Sequence, residues 1–273
     1  MRLPDFLRRT SVHRLMLYYL LALLIAAEIF CATGILPYSP IDLGFSTLLI
    51  AAAAWAGNWL FARVWGVESS LDSVLITALI LVLIITPVAP RDGVAIGYVI
   101  FAAFWAMAAK YMLTLGRRNI FNPAAFGVAL AAMALGSSVS WWIGGSLYLL
   151  PLVVAGGVLI LLKMNAAEML VAFAAADLLT VAVTSPTGNP LKSVSDIVLH
   201  SMFFFFAFVM LTEPRTAPMG RVNRLAYGAL IGILFAPEIH LGPWYTTPEI
   251  ALLAGNLFAA VTFWQRRRVM ATA

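Results

Sequence analysis

Charge is scarce in this chain: Asp, Glu, Lys and Arg together make up 11% of its 273 residues. A soluble domain carries about 25%. Hydrophobic residues make up 63%, and mean hydropathy is +0.96. No soluble core hides that much apolar surface, so lipid is the expected solvent for much of it. Cysteine occurs once, as Cys31. That excludes an intrachain disulfide and an iron–sulfur cluster ligated by this chain alone, which needs four thiolates. Histidine occurs three times, as His13, His200 and His240, without zinc-type spacing. A bis-histidine haem would have to draw on His200 and His240, on different segments. We assign no metal and no catalytic side chain. Long polar stretches are also missing. The longest, around Leu113–Asn122, has about ten residues, so residues 1–273 are read as one transmembrane domain with no soluble head. No glycine-rich dinucleotide fingerprint is present. A nucleotide-binding or redox head would therefore come from another chain.

What the chain has is long apolar runs. Backbone polar groups cannot face lipid unpaired, so such runs span as helices. Alternating ten-residue segments, the mark of a β-barrel, are absent. The expected fold is all-α, a polytopic membrane helical bundle of about ten transmembrane segments. These are Leu15–Leu36, Ile41–Val64, Asp72–Val88, Gly93–Leu113, Pro123–Leu135, Trp141–Leu162, Ala166–Val183, Val194–Leu211, Leu225–Phe235 and Thr247–Trp264. The first is read as a retained helix rather than a signal peptide, because it exceeds a typical signal h-region. The fifth and ninth are short, as half-helices shielded by protein would be.

Net charge is +5, and the cations sit between the runs. With the N-terminus inside, 15 of the 17 Lys and Arg fall on inside segments, and only Arg91 and Lys192 fall outside. This bias predicts a multi-pass inner (cytoplasmic) membrane protein with N- and C-termini cytoplasmic. It argues against nucleic acid as a partner and for membrane lipid. An internal repeat is suggested by three matches at an offset near 100: Ile85-Thr86-Pro87 with Thr184-Ser185-Pro186, Tyr111-Met112-Leu113 with Val209-Met210-Leu211, and Ala125-Phe126-Gly127 with Ala226-Tyr227-Gly228. They outline duplicated units around 72–135 and 166–235.

Three clusters carry candidate chemistry. In KYMLTLGRRNIFNPAAF, Asn122 is placed to cap a helix and Pro123 to open it. The plain reading is a helix start beside positive-inside charge. The sharper one is an anion or cofactor site, with Arg117 and Arg118 beside exposed N–H groups. In LTEPRTAP, two prolines break the helix after Thr212, and Glu213 and Arg215 lie at the membrane edge. In VTSPTGNP, residues 183–190 spell a turn in an outside loop.

GRRNIFNPAAFG and FVMLTEPRTAP together resemble a membrane family. It contains a flavin-carrying membrane component of the sodium-translocating NADH:quinone reductase and the RnfD-like component of the Rnf electron-transport complex. There an Asn-Pro-Ala element follows a basic loop and a Thr-Asp/Glu-Pro element ends a later helix, here Asn122-Pro123-Ala124 and Thr212-Glu213-Pro214. The resemblance covers roughly Lys110 to Phe235. It implies a membrane subunit of a flavin-dependent electron-transfer complex, coupled in some members to ion movement, with a cytoplasmic reductase or other redox subunits as partners. It implies FMN or another flavin as cofactor, with Asn122, Arg118, Thr212, Glu213 and Arg215 as candidate binding residues. The family joins FMN through its phosphate to a threonine in a Ser/Thr-Gly-Ala-Thr pattern. The corresponding stretch, Thr184-Ser185-Pro186-Thr187, makes Thr187 the acceptor. It departs from the pattern at Ser185 and Pro186, and Val181 stands where an acidic residue is usual.

Intramembrane ionisable residues mark pathways by default. Glu28 and Asp177 are the ion-path candidates, against the plain account that each is hydrogen-bonded within the bundle. Two further accounts stand beside electron transfer: a small-solute channel or transporter of related bundle fold, and a structural subunit without a cofactor.

Overall fold

A computed structural model describes residues 10–272 apart from 69, 117, 186, 187 and 243. They are mostly helical. In chain order the helices are α1 (Val12–Ala32), α2 (Pro40–Trp65), α3 (Leu71–Ile84), α4 (Gly93–Met112), α5 (Pro123–Leu135), α6 (Leu150–Met164), α7 (Ala167–Thr184) and α8 (Pro190–His200). After α9 (Phe203–Phe205) come a π-helical stretch (Phe206–Met210), α10 (Arg221–Phe235) and α11 (Pro248–Thr272). Starts follow side-chain caps. Ser39, Asp92, Asn122 and Asn189 each accept from a backbone N–H three residues on, and Pro40, Pro123 and Pro190 occupy first turns.

Four helices, α1, α2, α4 and α7, are long and apolar enough to cross a membrane. A fifth crossing results if α8 and the Phe203–Met210 segment, bent by 63°, count as one. The ten crossings expected from sequence are thus not all reached. Segments Asp72–Val88, Pro123–Leu135 and Trp141–Leu162 become helices of 14, 13 and 15 residues. The physical reason is clearest where α3 stops. Its last carbonyls are taken by the chain at 140–143: Trp141 N–H donates to Ile84 O at 2.9 Å and Ile143 N–H to Leu83 O at 3.3 Å. The Trp142 indole N–H donates to Val82 O at 3.0 Å. Apolar residues there cap a neighbouring helix instead of extending their own.

Helix α7 packs closely on α10. A Cβ at Gly228 or Gly232 would lie 2.3 Å from Met169 O or 2.4 Å from Phe173 O, so only glycine admits this approach. Phe173, Phe203, Phe206 and Phe235 pack ring against ring beside it, with Trp141 on Phe206.

Two short antiparallel hairpins punctuate the bundle. β1 (Thr114–Leu115) pairs with β2 (Arg118–Asn119), and β3 (His240–Leu241) with β4 (Trp244–Tyr245). In each, a glycine with positive φ, Gly116 or Gly242, follows the first strand. Each is closed by one more backbone bond, Ile120 N–H to Leu113 O at 2.8 Å and Thr246 N–H to Ile239 O at 3.1 Å. Each then leads into a helix begun by proline, α5 or α11. This correspondence is longer in offset than the repeat read from sequence. The units 72–135 and 166–235 are not supported as a repeat: Tyr111-Met112-Leu113 ends an α-helix, whereas Val209-Met210-Leu211 closes the π-helical stretch.

Candidate functional site

The starts of α1, α3, α5 and α10 and the ends of α4 and α11 gather at one end of the bundle. There the motif residues meet. Lys110, near the inside end of the expected segment Gly93–Leu113, occupies the last turn of α4. Its Nζ donates to Ser73 O at 2.6 Å and to Ser73 Oγ at 3.2 Å, tying α4 to the first turn of α3. Asn122 is buried. Its Oδ1 accepts from Ala125 N–H at 3.0 Å, and its backbone N–H donates to Asn256 Oδ1 at 2.7 Å. Asn256 in turn donates from Nδ2 to Tyr227 Oη at 2.8 Å. The start of α5 is so fixed to α10 and α11 by groups that lipid could not satisfy.

The second motif arrives from the π-helical stretch. Thr212 Oγ1 donates back to Phe208 O at 2.6 Å, which engages its hydroxyl within the turn. Thr216 Oγ1 donates to Glu213 Oε2 at 3.3 Å. Arg118 reaches across from β2 and donates to the carbonyls of Pro214 and Ala217, clamping the two motifs together. Burial pulls the Arg118 guanidinium below its ordinary pKa, against the attraction of Tyr227 and Glu213.

Asn122, Glu213 and Arg215 line one cavity, with His13 and Ser73. Met16, Ile76, Ile80 and Val209 supply its apolar wall. Arg118 and Thr212 do not line it. Burial raises the Glu213 carboxyl to about 7; Lys110, the Thr216 hydroxyl, Arg215 and Arg118 oppose that shift. Asn122 Nδ2 is a buried donor with no hydrogen-bond partner among the described residues. An apolar slot with an unused amide donor, a guanidinium and a carboxyl near neutrality suits a flat, mostly apolar ring with carbonyl groups on one edge. The edge of a flavin or quinone ring has that chemistry, and the slot's volume of about 40 Å³ takes such an edge rather than a whole ring.

The remaining candidates lie elsewhere. Thr187 and Arg117 fall outside the described residues. Glu28 is half-buried on α1, with its Oε1 3.8 Å from where a Cβ at Gly44 would sit. Asp177 is fully buried on α7 against Gly232, and neither carboxylate oxygen has a partner among the described residues. Glu249 is 3% exposed and accepts from the Trp141 indole N–H at 3.4 Å. Sequence reasoning missed Lys110, Ser73, Tyr227 and Asn256. The usable signal was Asn256, a lone amide in an otherwise apolar run. No family model matches the chain, and no curated protein matches it.

Proposed function

We propose that the chain is a membrane subunit of a flavin-dependent electron-transfer complex of the kind its two motifs resemble, passing electrons along or across the membrane. One observation carries the reading. Asn-Pro-Ala and Thr-Glu-Pro, about ninety residues apart, converge on one mostly apolar cavity whose buried amide donor has no partner among the described residues. In this reading Asn122 Nδ2 and Arg215 donate to the ring edge of the flavin, Glu213 exchanges a proton with it, and Met16, Ile80 and Val209 exclude water. The bound flavin supplies one- and two-electron exchange. Arg118 acts as a positioning residue, and Thr212 acts through the turn that presents Glu213.

The sidedness belongs to the same proposal. The arginine-rich end faces the cytoplasm, both termini are inside, and a reductase partner docks there. The short helices α3, α5, α6 and α10, together with α11, complete ten crossings, the short ones shielded by protein, and the two hairpin-led helices enter from opposite faces, as in a duplicated and inverted unit. Asp177, buried and unpartnered, favours an added Na+ or H+ path. It is also the observation that favours a solute-transport reading.

Intact mass of protein co-expressed with a flavin transferase, compared with Thr187→Val, tests covalent attachment. An FMN-sized increment lost in the variant supports it. An unmodified mass with flavin still bound places the cofactor noncovalently. A colourless protein that fluxes solute sinks electron transfer in favour of transport. Reporters at Asn189 and Ala273 test orientation: cytoplasmic labelling at Asn189 contradicts it.

A further inference from the structure

Beyond the cavity, the same end carries cations without paired acids. Arg118 of β2 and Arg267 of α11 both lie over the Phe263 ring, at 5.4 and 5.9 Å from its centroid. Arg266 sits one residue away on α11 and reaches toward the loop before α10: its Nη2 is 3.0 Å from where a Cβ at Gly220 would stand. Arg267 Nη1 is likewise 3.1 Å from the Cβ position of Gly116 in the first hairpin. Both glycines have positive φ and leave room for a guanidinium where a side chain would intrude. None of the ion pairs among the described residues includes Arg118, Arg266 or Arg267. Three like charges thus converge from two segments, around one aromatic ring, with no carboxylate in ion-pair contact among the described residues.

Between them runs a groove. Two adjoining cavities share Met219, Asn223, Thr262, Phe263 and Arg266, and the deeper one adds Arg118 and Ala259. The floor is apolar and the rim is guanidinium. A soluble anion would satisfy the rim and leave the floor wet. A molecule with a phosphate at one end and hydrocarbon behind it satisfies both. Arg268 stacks on the ring of half-exposed Trp264, 3.7 Å from its centroid. Such an aromatic–arginine pair belongs at a membrane–water interface, where phosphates lie.

We propose that this groove between α10 and α11 binds an anionic phospholipid, with Arg118, Arg266 and Arg267 around its phosphate and Phe263, Met219 and Ala259 under its first methylenes. Basic pockets between helices at a membrane edge recognise anionic headgroups in this way. The site is separate from the flavin cavity, and the inference stands whether or not a flavin binds.

The test uses full-length protein in detergent, with lipid retention read by native mass spectrometry and thermal stability read in parallel. The probes are phosphatidylglycerol, phosphatidylcholine and inorganic phosphate. The variants are Arg266→Gln with Arg267→Gln, and Arg14→Gln with Arg63→Gln, which removes equal charge away from the groove. We expect phosphatidylglycerol alone to be retained and to raise the melting temperature. The first double variant should weaken retention roughly 25-fold, about fivefold per arginine, with its lipid-free melting temperature unchanged. The second should weaken it little. Equal retention of both lipids, equal loss in both double variants, or an equal effect of inorganic phosphate would each overturn the assignment. So would undiminished retention in the first variant. If that variant unfolds, Phe263→Leu, which keeps the charges and removes the ring beneath them, should lower retention; unchanged retention there also overturns it.

Discussion

The two hairpins use one backbone device for opposite ends. Each turns at a glycine, closes with one added backbone bond and leads into a proline-led helix. At the first, the helix start carries Asn122 beside a cavity lined by Glu213 and Arg215. At the second, it carries Glu249, which is buried and bonded to Trp141, and Trp141 leads into the Phe206, Phe173 and Phe235 rings. The backbone delivers a helix start into the bundle in both cases. Whether that start faces a cavity or only packs is decided by the side chains around it: aliphatic with a few polar groups at one end, large and aromatic at the other.

The comparison breaks most visibly at the packed end. Trp141 is 2% exposed and caps α3 through its backbone. Trp141→Ala should cost about 3–5 kcal/mol, read as a lower melting temperature and lower folded yield. Electron transfer per folded, flavin-loaded molecule should change little. Equal loss of specific activity would mean that the packed end also takes part in function.

At the binding end the pattern should reverse. Asn122→Ala combined with Glu213→Ala should lower flavin-dependent electron transfer roughly a hundredfold, the scale of a misplaced reacting group, with a smaller loss of expression. Activity surviving both changes would reduce the two motifs to turns.

The link between α5, α10 and α11 gives an intermediate case. Asn256→Ala strands the Asn122 N–H and the Tyr227 hydroxyl, both buried. It should cost about 1–3 kcal/mol. Asn256→Leu, which fills the space without satisfying the same groups, should be no better. A neutral effect would mean that water replaces the amide.

A fourth effect concerns pH. Glu213 is raised from 4.5 to about 7 by burial. The folded state then holds a proton that the unfolded chain has already released. Stability should therefore be greatest below about 4.5 and fall as pH rises toward 7. Glu213→Gln should flatten this dependence in detergent melts. An unchanged slope would assign it to another group.

Much of this was legible in the sequence because it rests on local chemistry. Asn122-Pro123 reads as a helix start, and it is one. The apolar runs read as helices, and each contains one. What failed depended on partners distant in the chain. Trp141–Leu149 is as apolar as a helix, yet its N–H groups answer the carbonyls of Val82, Leu83 and Ile84, a demand invisible from residues 141–149. Lys110 counted only as an inside charge because nothing local shows that Ser73, thirty-seven residues earlier, accepts its hydrogen bonds. Thr212 matched a motif, but its hydroxyl turns back to Phe208, which only the fold decides.

The central claim is that the mostly apolar cavity at the start of α5 receives the edge of a flavin ring. The most direct measurement is the flavin content per chain of protein purified from membranes, wild type beside the Asn122→Ala, Glu213→Ala double variant, with folding checked by melting. The account predicts a yellow wild type close to stoichiometric in flavin for this site, and a folded variant that has lost that fraction. A folded, colourless wild type, or a variant that keeps its full flavin content, would contradict it.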